Sequence, residues 1–293
     1  MISLETLSAL FQNHSTALNS PIAQLEFDGK LFSRPALMGT VNLSRDSTYR
    51  ESIAISTEAA IRKSRVYFAQ GADLIDIGAE SSTAKASRVT ARDQINQLVP
   101  VIEQLTSDSI PVSAETYEPE VVKACLSAGA KVLNFTGTEH EEEILDLASE
   151  FDATVILCYV GGANVREITN LELDQDPIPR LQEYFAKRID TALKHGVTNI
   201  VIDPGMGFYY GNLVDPLTRV RHQTNVILNS FRLRELGYPI CQALPHAFDL
   251  FEDEFRTAES FFAVIASLGG VNLLRTHEIS KVNAVLRAIK SLE

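Results

Sequence analysis

Polar and charged side chains close most of the short apolar runs in this chain, where they could hold a ligand. They are Asn42, Asp46, Asp76, Glu80, Glu115, Asn134, Asp203, Arg275 and His277. Two carboxylates and an amide, Glu115, Asp203 and Asn134, suit a flat heterocycle with several N–H donors, because ionised carboxylates only accept hydrogen bonds. Any one of these residues could instead be a simple loop cap, but their recurrence at strand ends favours a site.

Arg275 and His277 lie two residues apart at the end of the last apolar run. Alternate residues of a strand point to the same face, so the two side chains could point the same way. They form the clearest cationic spot in the sequence and suit a phosphate or pyrophosphate. The alternative is an ion pair with a neighbouring acidic loop.

The segment Asp-Pro-Gly-Met-Gly-Phe, residues 203–208, places a carboxylate before two glycines and an aromatic residue. Gly205 and Gly207 would let the backbone approach a planar ligand closely, with Phe208 beside it. An ordinary tight turn between a strand and a helix is the simpler reading of the same residues.

These residues require a scaffold that gathers strand ends, and the pattern of the chain predicts one. Short runs rich in Val, Ile and Leu predict buried parallel strands at 36–41, 74–78, 111–114, 131–134, 154–158, 200–203, 239–243 and 271–275. Helical patterns alternate with them at 58–70, 92–105, 119–127, 141–150, 178–194, 217–236, 257–268 and 280–291. About eight such repeats are typical of an α/β (β/α)₈ TIM barrel, with reactive groups on the loops after the strands. An open doubly wound sheet is the alternative.

The chain has 293 residues, and a barrel of this kind needs about 250. We expect residues 35–293 to form the barrel and residues 1–34 to form an N-terminal extension. Asp28-Gly29 between alternating apolar residues predicts a β-hairpin in that extension, covering the bottom of the barrel.

Composition excludes several classes of partner. The net charge is −12 and no Lys/Arg run occurs, which disfavours a nucleic-acid binder. No segment has the roughly 18 apolar residues of a membrane span, and the first residues do not read as a secretory signal. The cysteines Cys125, Cys158 and Cys241 are widely spaced, so we expect buried reduced thiols and a cytoplasmic protein.

Five motifs in order resemble the dihydropteroate synthases, the pterin-binding enzymes of folate synthesis. They are MGTVNLSRDS (38–47), GADLIDIGAES (71–81), VSAETYEPEVVKACLSAGAKVLNFTG (112–137), DPGMGF (203–208) and LRTHEI (274–279). The likeness runs from about residue 35 to 290, and each motif stands at a strand end.

The resemblance implies roles for individual residues. Asn42, Asp46, Arg275 and His277 would be catalytic, with Asn42 meeting a Mg²⁺-bound pyrophosphate and Arg275 and His277 also holding pyrophosphate. The substrate-binding residues would be Glu115, Asn134, Asp203, Gly205, Gly207, Phe208 and His246. In the family the amine of p-aminobenzoate displaces pyrophosphate from the pterin methylene carbon, a step that needs charge stabilisation more than a strong base.

Several positions depart from the family pattern. Glu115 replaces an aspartate, Asn134-Phe135-Thr136-Gly137 replaces Asn-Asp-Val-Ser-Gly, and Ala243–Ala247 replaces Gly-x-Ser-Arg-Lys. The lysine lost there would bridge the two substrates, and His246 could take part of its role. Lys85 or Arg88 could replace a missing second-loop arginine, Tyr209 and Tyr210 stand in place of another lysine, and Cys158-Tyr159 replaces Met-His.

Three functions therefore remain open on the sequence. The first is a dihydropteroate synthase-like transferase, with impaired activity or an altered second substrate. The second is a non-catalytic paralogue that binds a pterin, and the third is a methyltetrahydrofolate methyltransferase-like barrel. By analogy with related barrels we also expect a homodimer. Residues 256–268 carry an apolar stripe that suits either that interface or barrel packing, and we favour packing.

Overall fold

The computed structural model describes residues 3–33, 35–44, 46, 49–81, 86–167, 170–171, 173–208, 213 and 215–292. Ten strands lie in this part of the chain: β1 (Leu25–Phe27), β2 (Lys30–Phe32), β3 (Ala36–Asn42), β4 (Leu74–Gly78), β5 (Val112–Thr116), β6 (Val132–Phe135), β7 (Thr154–Cys158), β8 (Ile200–Asp203), β9 (Cys241–Ala243) and β10 (Leu273–Thr276). Every predicted strand is present, with its ends shifted by two residues at most.

Strands β3 to β10 form one parallel sheet in the order β8-β7-β6-β5-β4-β3-β10-β9. A parallel bridge between Ile202 and Ile240 joins the two outer strands, β8 and β9, and closes the sheet into a barrel. The side chains of these strands are almost all buried, as expected for a parallel sheet covered by helices. The predicted (β/α)₈ barrel is confirmed, and the open doubly wound sheet is wrong.

Eleven α-helices accompany the strands in the described residues: α1 (Leu4–Asn13), α2 (Ser15–Asn19), α3 (Thr57–Ala69), α4 (Ala91–Ser107), α5 (Pro119–Ser127), α6 (Glu141–Glu150), α7 (Ile178–Lys194), α8 (Pro216–Asn229), α9 (Phe248–Phe251), α10 (Ala258–Leu268) and α11 (Ile279–Lys290). Short 3₁₀ helices cover 50–52, 230–236 and 252–257. The sequence predicted one helix over 217–236, but the chain tightens after Asn229 into a 3₁₀ segment that ends at Leu236 and is capped by Gly237.

The predicted hairpin is present at the end of the barrel opposite the strand ends that carry the polar residues. Asp28 and Gly29 both have positive φ, 51° and 69°, the conformation that a two-residue hairpin turn requires. The side-chain amide of Asn272, which precedes β10, donates to the Ala23 carbonyl at 2.8 Å. Phe27 is buried in the core from the hairpin side. The division into an extension of 1–34 and a barrel of 35–293 stays a prediction.

The cysteines behave as the sequence predicted. Cys125, Cys158 and Cys241 are buried and unbridged. Burial raises the pKa of the Cys125 thiol to about 12, so it stays protonated. Within the described ranges, no helix combines the length and the apolar character needed to cross a membrane.

Candidate active site

Arg275, near the end of β10, reaches into the barrel and binds two carboxylates. Its Nε donates to Asp76 Oδ2 at 2.7 Å, and its Nη2 donates to Glu115 Oε2 at 2.5 Å. Asp76 lies in the middle of β4 and Glu115 near the end of β5, so one guanidinium spans neighbouring strands. The planar fork of arginine suits this double contact better than a lysine ammonium would.

Asp76 extends this network to β6. Its Oδ1 accepts from the Ser113 hydroxyl at 2.7 Å, and its Oδ2 accepts from the Asn134 amide nitrogen at 3.1 Å. The Asn134 amide oxygen in turn accepts from the Cys158 thiol at 3.1 Å. Each polar atom named here has a partner, which a buried polar network needs in order to be stable.

Asp203 ends β8 and begins the turn that the sequence singled out. Its Oδ1 accepts from the Gly205 backbone N–H at 2.8 Å, and its carboxylate also accepts from the Cys241 thiol. Gly205 has φ +76°, a conformation that favours glycine. A Cβ on Gly207 would lie 2.9 Å from Ala243 Cβ, so only glycine packs there. Phe208, which follows, is half-buried.

Burial raises the pKa values of two carboxyl groups at this site, Glu115 and Asp203. Burial raises the pKa of Glu115 to about 7; Arg275 opposes that shift, and Asp76 and Asp203 add to it. Burial likewise raises the pKa of Asp203, against the hydrogen bonds from Gly205 and Cys241. The structure thus brings Glu115 and Asn134 into one bonded network, with Asp203 close enough to influence it electrostatically.

A second cluster, which we call the histidine–glutamate cluster, consists of His246, Glu259 and His277. Glu259 Oε1, from α10, lies 2.9 Å from His277 Nδ1 and 3.2 Å from His246 Nδ1. Glu259 Oε2 accepts from the Thr276 hydroxyl and from the backbone N–H groups of His277 and Glu278, at 2.8 and 3.2 Å for the latter two. Burial, opposed by Glu259, lowers the pKa of His277 to about 4, so the ring is neutral at pH 7.

Tyr49 covers this cluster from the loop after β3. Its ring stacks on His277 with centroids 4.4 Å apart and lies 4.8 Å from the ring of His246. Its hydroxyl donates to Glu278 Oε1 at 2.6 Å, which also receives Arg256 Nε at 2.6 Å. The rings are therefore held by stacking on one side and by a carboxylate on the other.

The expected cationic pair of Arg275 and His277 differs from the arrangement in the structure. Arg275 pairs with two carboxylates and His277 is a neutral ring bound to Glu259. Arg275 thus follows the alternative of an ion pair, although its partners are strand residues and not a loop. The sequence could not distinguish the two arrangements, because side chains on alternate strand positions share a face whichever groups they meet.

Asn42 and Asp46 lie in the loop region after β3. The Asn42 amide nitrogen donates to the Ser52 hydroxyl at 2.7 Å, which ties the end of β3 to the 3₁₀ turn at 50–52. Asp46 is exposed and its Oδ2 accepts from the Ser87 backbone N–H at 3.0 Å. Asp46 lines a cavity of about 680 Å³ that also contains Ser44, Ser56 and Ser87. Asp46 therefore organises the loop after β4, and its assigned catalytic role stays a prediction.

A buried arginine that the sequence analysis did not identify supports the same loop. Arg166, from the segment after β7, donates to the carbonyl of Ser81 at 2.9 Å and to that of Ala86. Arg88, a predicted substitute for a missing arginine, instead donates to the Tyr117 hydroxyl at 2.8 Å and to Glu167 at 2.9 Å. Lys85, Tyr209 and Tyr210, which the sequence analysis also named, lie outside the described residues.

Glu259 and Tyr49 were missed for a physical reason. Glu259 lies on a helix and not at a strand end, so the strand-end rule passes over it. The available signal was a carboxylate in the apolar stripe of residues 256–268, since a buried carboxylate needs partners. Tyr49 gives no such signal, because its position depends on how the loop after β3 folds.

A family model described as pterin binding enzyme matches residues 38–277 of the chain. The chain is 28% identical to a dihydropteroate synthase of Synechocystis sp. over 93% of its own length and 94% of that protein. It is 32% identical to a dihydropteroate synthase of Streptococcus pyogenes over 70% of its own length and 73% of that protein. These relatives are matched along most of their length.

The fold is similar to that of a solved dihydropteroate synthase. The structure of the Xanthomonas albilineans dihydropteroate synthase with 4-aminobenzoic acid superposes with a TM-score of 0.78 at 25% identity. The superposition covers 93% of this chain and 98% of that one. The likeness therefore spans the barrel and not a single motif.

Proposed function

The chain belongs to the dihydropteroate synthase family of pterin-binding enzymes, and on that premise we propose that it condenses 6-hydroxymethyl-7,8-dihydropterin pyrophosphate with p-aminobenzoate. The products are 7,8-dihydropteroate and pyrophosphate. The observation that carries the proposal is the network of Glu115, Asp76, Asn134 and Arg275, with Asp203 beside it, where strands β4 to β8 and β10 meet.

This network suits the rim of a pterin. A pterin presents several ring and amino N–H donors along one edge, and Glu115 and Asp203 offer carboxylate acceptors to them. Asn134 can both donate and accept, so it suits an edge that carries a carbonyl beside an N–H. Because these side chains are mostly buried, their hydrogen bonds to a ligand would form in a medium of low dielectric constant and would be stronger than in water.

The condensation needs little acid–base help from the chain. The amine nitrogen of p-aminobenzoate attacks the methylene carbon, the bond from that carbon to the pyrophosphate oxygen breaks, and the amine loses one proton to solvent. The residues must orient the methylene carbon and exclude water, with Arg275 and His277 on the side where the leaving group would lie. Arg275 already contacts Asp76 and Glu115, and His277 already contacts Glu259. A pyrophosphate that binds Arg275 and His277 would therefore share these two side chains with the carboxylates.

Mg²⁺ is implied by the family, and the donor set at Asn42 fits it. A hard cation takes oxygen ligands and often uses only one or two protein groups together with phosphate oxygens and water. Asn42 would supply its amide oxygen, since its amide nitrogen faces the Ser52 hydroxyl. When bound, the ion would neutralise part of the charge on the departing pyrophosphate.

A turnover assay tests the proposal directly. Purified protein with both substrates and Mg²⁺ should release pyrophosphate and form 7,8-dihydropteroate in equal amounts. Asp203→Asn should lower kcat/KM by about tenfold to a hundredfold, because it removes a charged acceptor. Asp146→Asn is the matched control, because Asp146 is exposed on α6 and contacts His195. Absence of product from the wild-type protein would overturn the proposal.

One observation favours a second candidate, a pterin-binding protein without turnover. The loop after β9 has Ala247 where the family pattern has a lysine, and the ring of the neighbouring His246 contacts Glu259. Pterin binding without pyrophosphate release would establish this candidate. Methyl transfer to a corrinoid protein, the third reading, would appear only in an assay with that acceptor.

Two finer expectations are also proposals. We propose a homodimer, by analogy with related barrels, which size-exclusion chromatography with light scattering would test. We propose a reducing, cytoplasmic setting, supported by three buried thiols that form no disulfide.

A further inference from the structure

Three side chains of the kinds that bind transition metals converge in the histidine–glutamate cluster. His246 comes from the loop after β9, Glu259 from α10 and His277 from the end of β10. One ligating atom from each lies within 4.8 Å of those of the other two. We propose that these three residues form a binding site for a divalent transition-metal ion of the zinc class.

The donor atoms select the class of metal. Two imidazole nitrogens and one carboxylate oxygen are a common ligand set for Zn²⁺, and Co²⁺ accepts the same set. Mg²⁺ prefers oxygen ligands in an octahedron and would bind this set poorly. The proposed ion is therefore distinct from the Mg²⁺ discussed for Asn42.

Two of the three ligand-to-ligand distances are close to those around a bound ion, and the third, between the two rings, is at most 4.8 Å and would shorten on binding. With bonds of about 2.0–2.1 Å to a tetrahedral ion, neighbouring ligand atoms lie roughly 3.3–3.4 Å apart. Glu259 Oε1 is 2.9 Å from His277 Nδ1 and 3.2 Å from His246 Nδ1. Each ring would present an Nδ1 lone pair to the ion and carry its proton on Nε2. Three protein ligands would leave a fourth position for water or an anionic group.

The surroundings hold the ligands in place. Glu259 Oε2 is fixed by the Thr276 hydroxyl and by two backbone N–H groups, which orients Oε1 toward the rings. Tyr49 stacks on His277 and limits its rotation. Such outer contacts are what pre-organise metal ligands in proteins.

A role for the proposed metal ion in catalysis rests on the proposed function, whereas the binding of the ion does not. Near this end of the barrel, Arg275, Arg256 and Arg219 each form an ion pair with a carboxylate. A dication held by two imidazole rings and one carboxylate would add net positive charge at that place. A pyrophosphate leaving group could then occupy the open coordination position.

Cobalt titration tests the site without reference to turnover. Full-length protein treated with a chelator and then titrated with Co²⁺ should gain the visible absorption of a tetrahedral ion and saturate at one equivalent per chain. Zn²⁺ should abolish that absorption, and excess Mg²⁺ should not. An adventitious surface ion would not reach this stoichiometry or geometry.

Variants locate the ion on the three residues. His246→Gln and Glu259→Gln should each weaken Co²⁺ binding by about a hundredfold or more, since even outer-shell changes cost about tenfold to a hundredfold. His195→Gln is the control, because His195 lies on the surface against Asp146. His246 is the safer variant for folding, and a thermal melt would check it. Undetectable Co²⁺ absorption in the wild-type protein, or unchanged binding in folded His246→Gln, would overturn the proposal even if dihydropteroate is formed.

Discussion

On the β4–β6 side of the barrel mouth two carboxylates share one guanidinium, whereas beside β9 and β10 two imidazoles share one carboxylate. The first region, which we call the acidic side, consists of Asp76, Glu115 and Arg275 with Asn134 and Asp203 around them. The second is the histidine–glutamate cluster. Both regions bury ionisable groups at the same end of the barrel. Carboxylates outnumber the cation on the acidic side, whereas imidazole rings outnumber the carboxylate in the histidine–glutamate cluster.

This difference assigns different partners to the two regions. The acidic side has more acceptors than its one cation can satisfy, so a ligand that brings N–H donors improves its balance. The histidine–glutamate cluster has ring nitrogens in excess, so it gains from a cation that the rings can bind. A substrate with a ring rich in N–H donors at one end and a metal-binding pyrophosphate at the other would suit this arrangement, with the ring at the acidic side and the pyrophosphate at the histidine–glutamate cluster.

The largest expected effect comes from removing the shared guanidinium. Arg275→Met leaves Asp76 and Glu115 buried without their cation, and we expect it to lower the free energy of unfolding by about 3–5 kcal/mol. Urea denaturation at pH 7 measures this. Arg65→Met is the control, because its ion pair with Asp108 is exposed to solvent and should contribute little to stability. Equal losses in the two variants would show that the acidic side is not held by its charge pairing.

Glu115 on the acidic side should make the folded protein less stable as the pH rises, which is the opposite of the usual effect of a carboxyl group. The pKa of Glu115 is raised from 4.5 to about 7, so the folded protein binds this proton more tightly than the unfolded chain. Its contribution to the free energy of unfolding is therefore complete below pH 4.5 and is lost as the pH rises to about 7. The shift corresponds to at most about 3 kcal/mol.

Urea denaturation of the wild-type protein and of Glu115→Gln across that pH interval isolates this contribution. The difference between the two unfolding free energies should change in favour of the variant as the pH rises, because glutamine does not titrate. A difference that stays constant with pH would mean that Glu115 ionises normally and that its burial is compensated elsewhere.

Ligand binding separates the two regions further. Glu115→Gln should weaken binding of a pterin by about 1–3 kcal/mol, because a charged acceptor for its N–H groups is lost. Quenching of pterin fluorescence on titration gives the affinity. Glu120→Gln, on the exposed face of α5, is the matched control. Unchanged affinity in folded Glu115→Gln would remove this residue from the site.

The elements of the barrel follow from local sequence, and so does much of the acidic side. Short Val- and Ile-rich runs are typical of buried parallel strands, and their ends set the positions of Glu115, Asn134 and Asp203. Helix α1 was not predicted, although Ser3 caps it and Thr6 completes the cap. The sequence pattern also does not predict the helices in the loop after β9, where α9 and a 3₁₀ turn cover 248–257.

The direction of the long side chains could not be predicted in the same way. Whether Arg275 meets a ligand or Glu115 depends on distances across the barrel, which strand positions alone do not give. The sequence shows the extra methylene of Glu115 relative to aspartate, but it does not show the contact of this side chain with Arg275. Glu259 reaches its partners from a helix, so only the closed barrel shows that His246 and His277 share it.

The smallest expected effect concerns the cover over the histidine–glutamate cluster. Tyr49→Phe keeps the ring on His277 but loses the hydroxyl that donates to Glu278 at 2.6 Å. We expect a loss of about 1 kcal/mol in the free energy of unfolding, because Arg256 continues to neutralise Glu278. Tyr49→Leu also removes the stacking on His277 and the tilted ring contact with His246, and it should cost more. If the two variants are equally stable, the ring contributes nothing, and the cluster depends on Glu259 alone, much as the acidic side depends on Arg275.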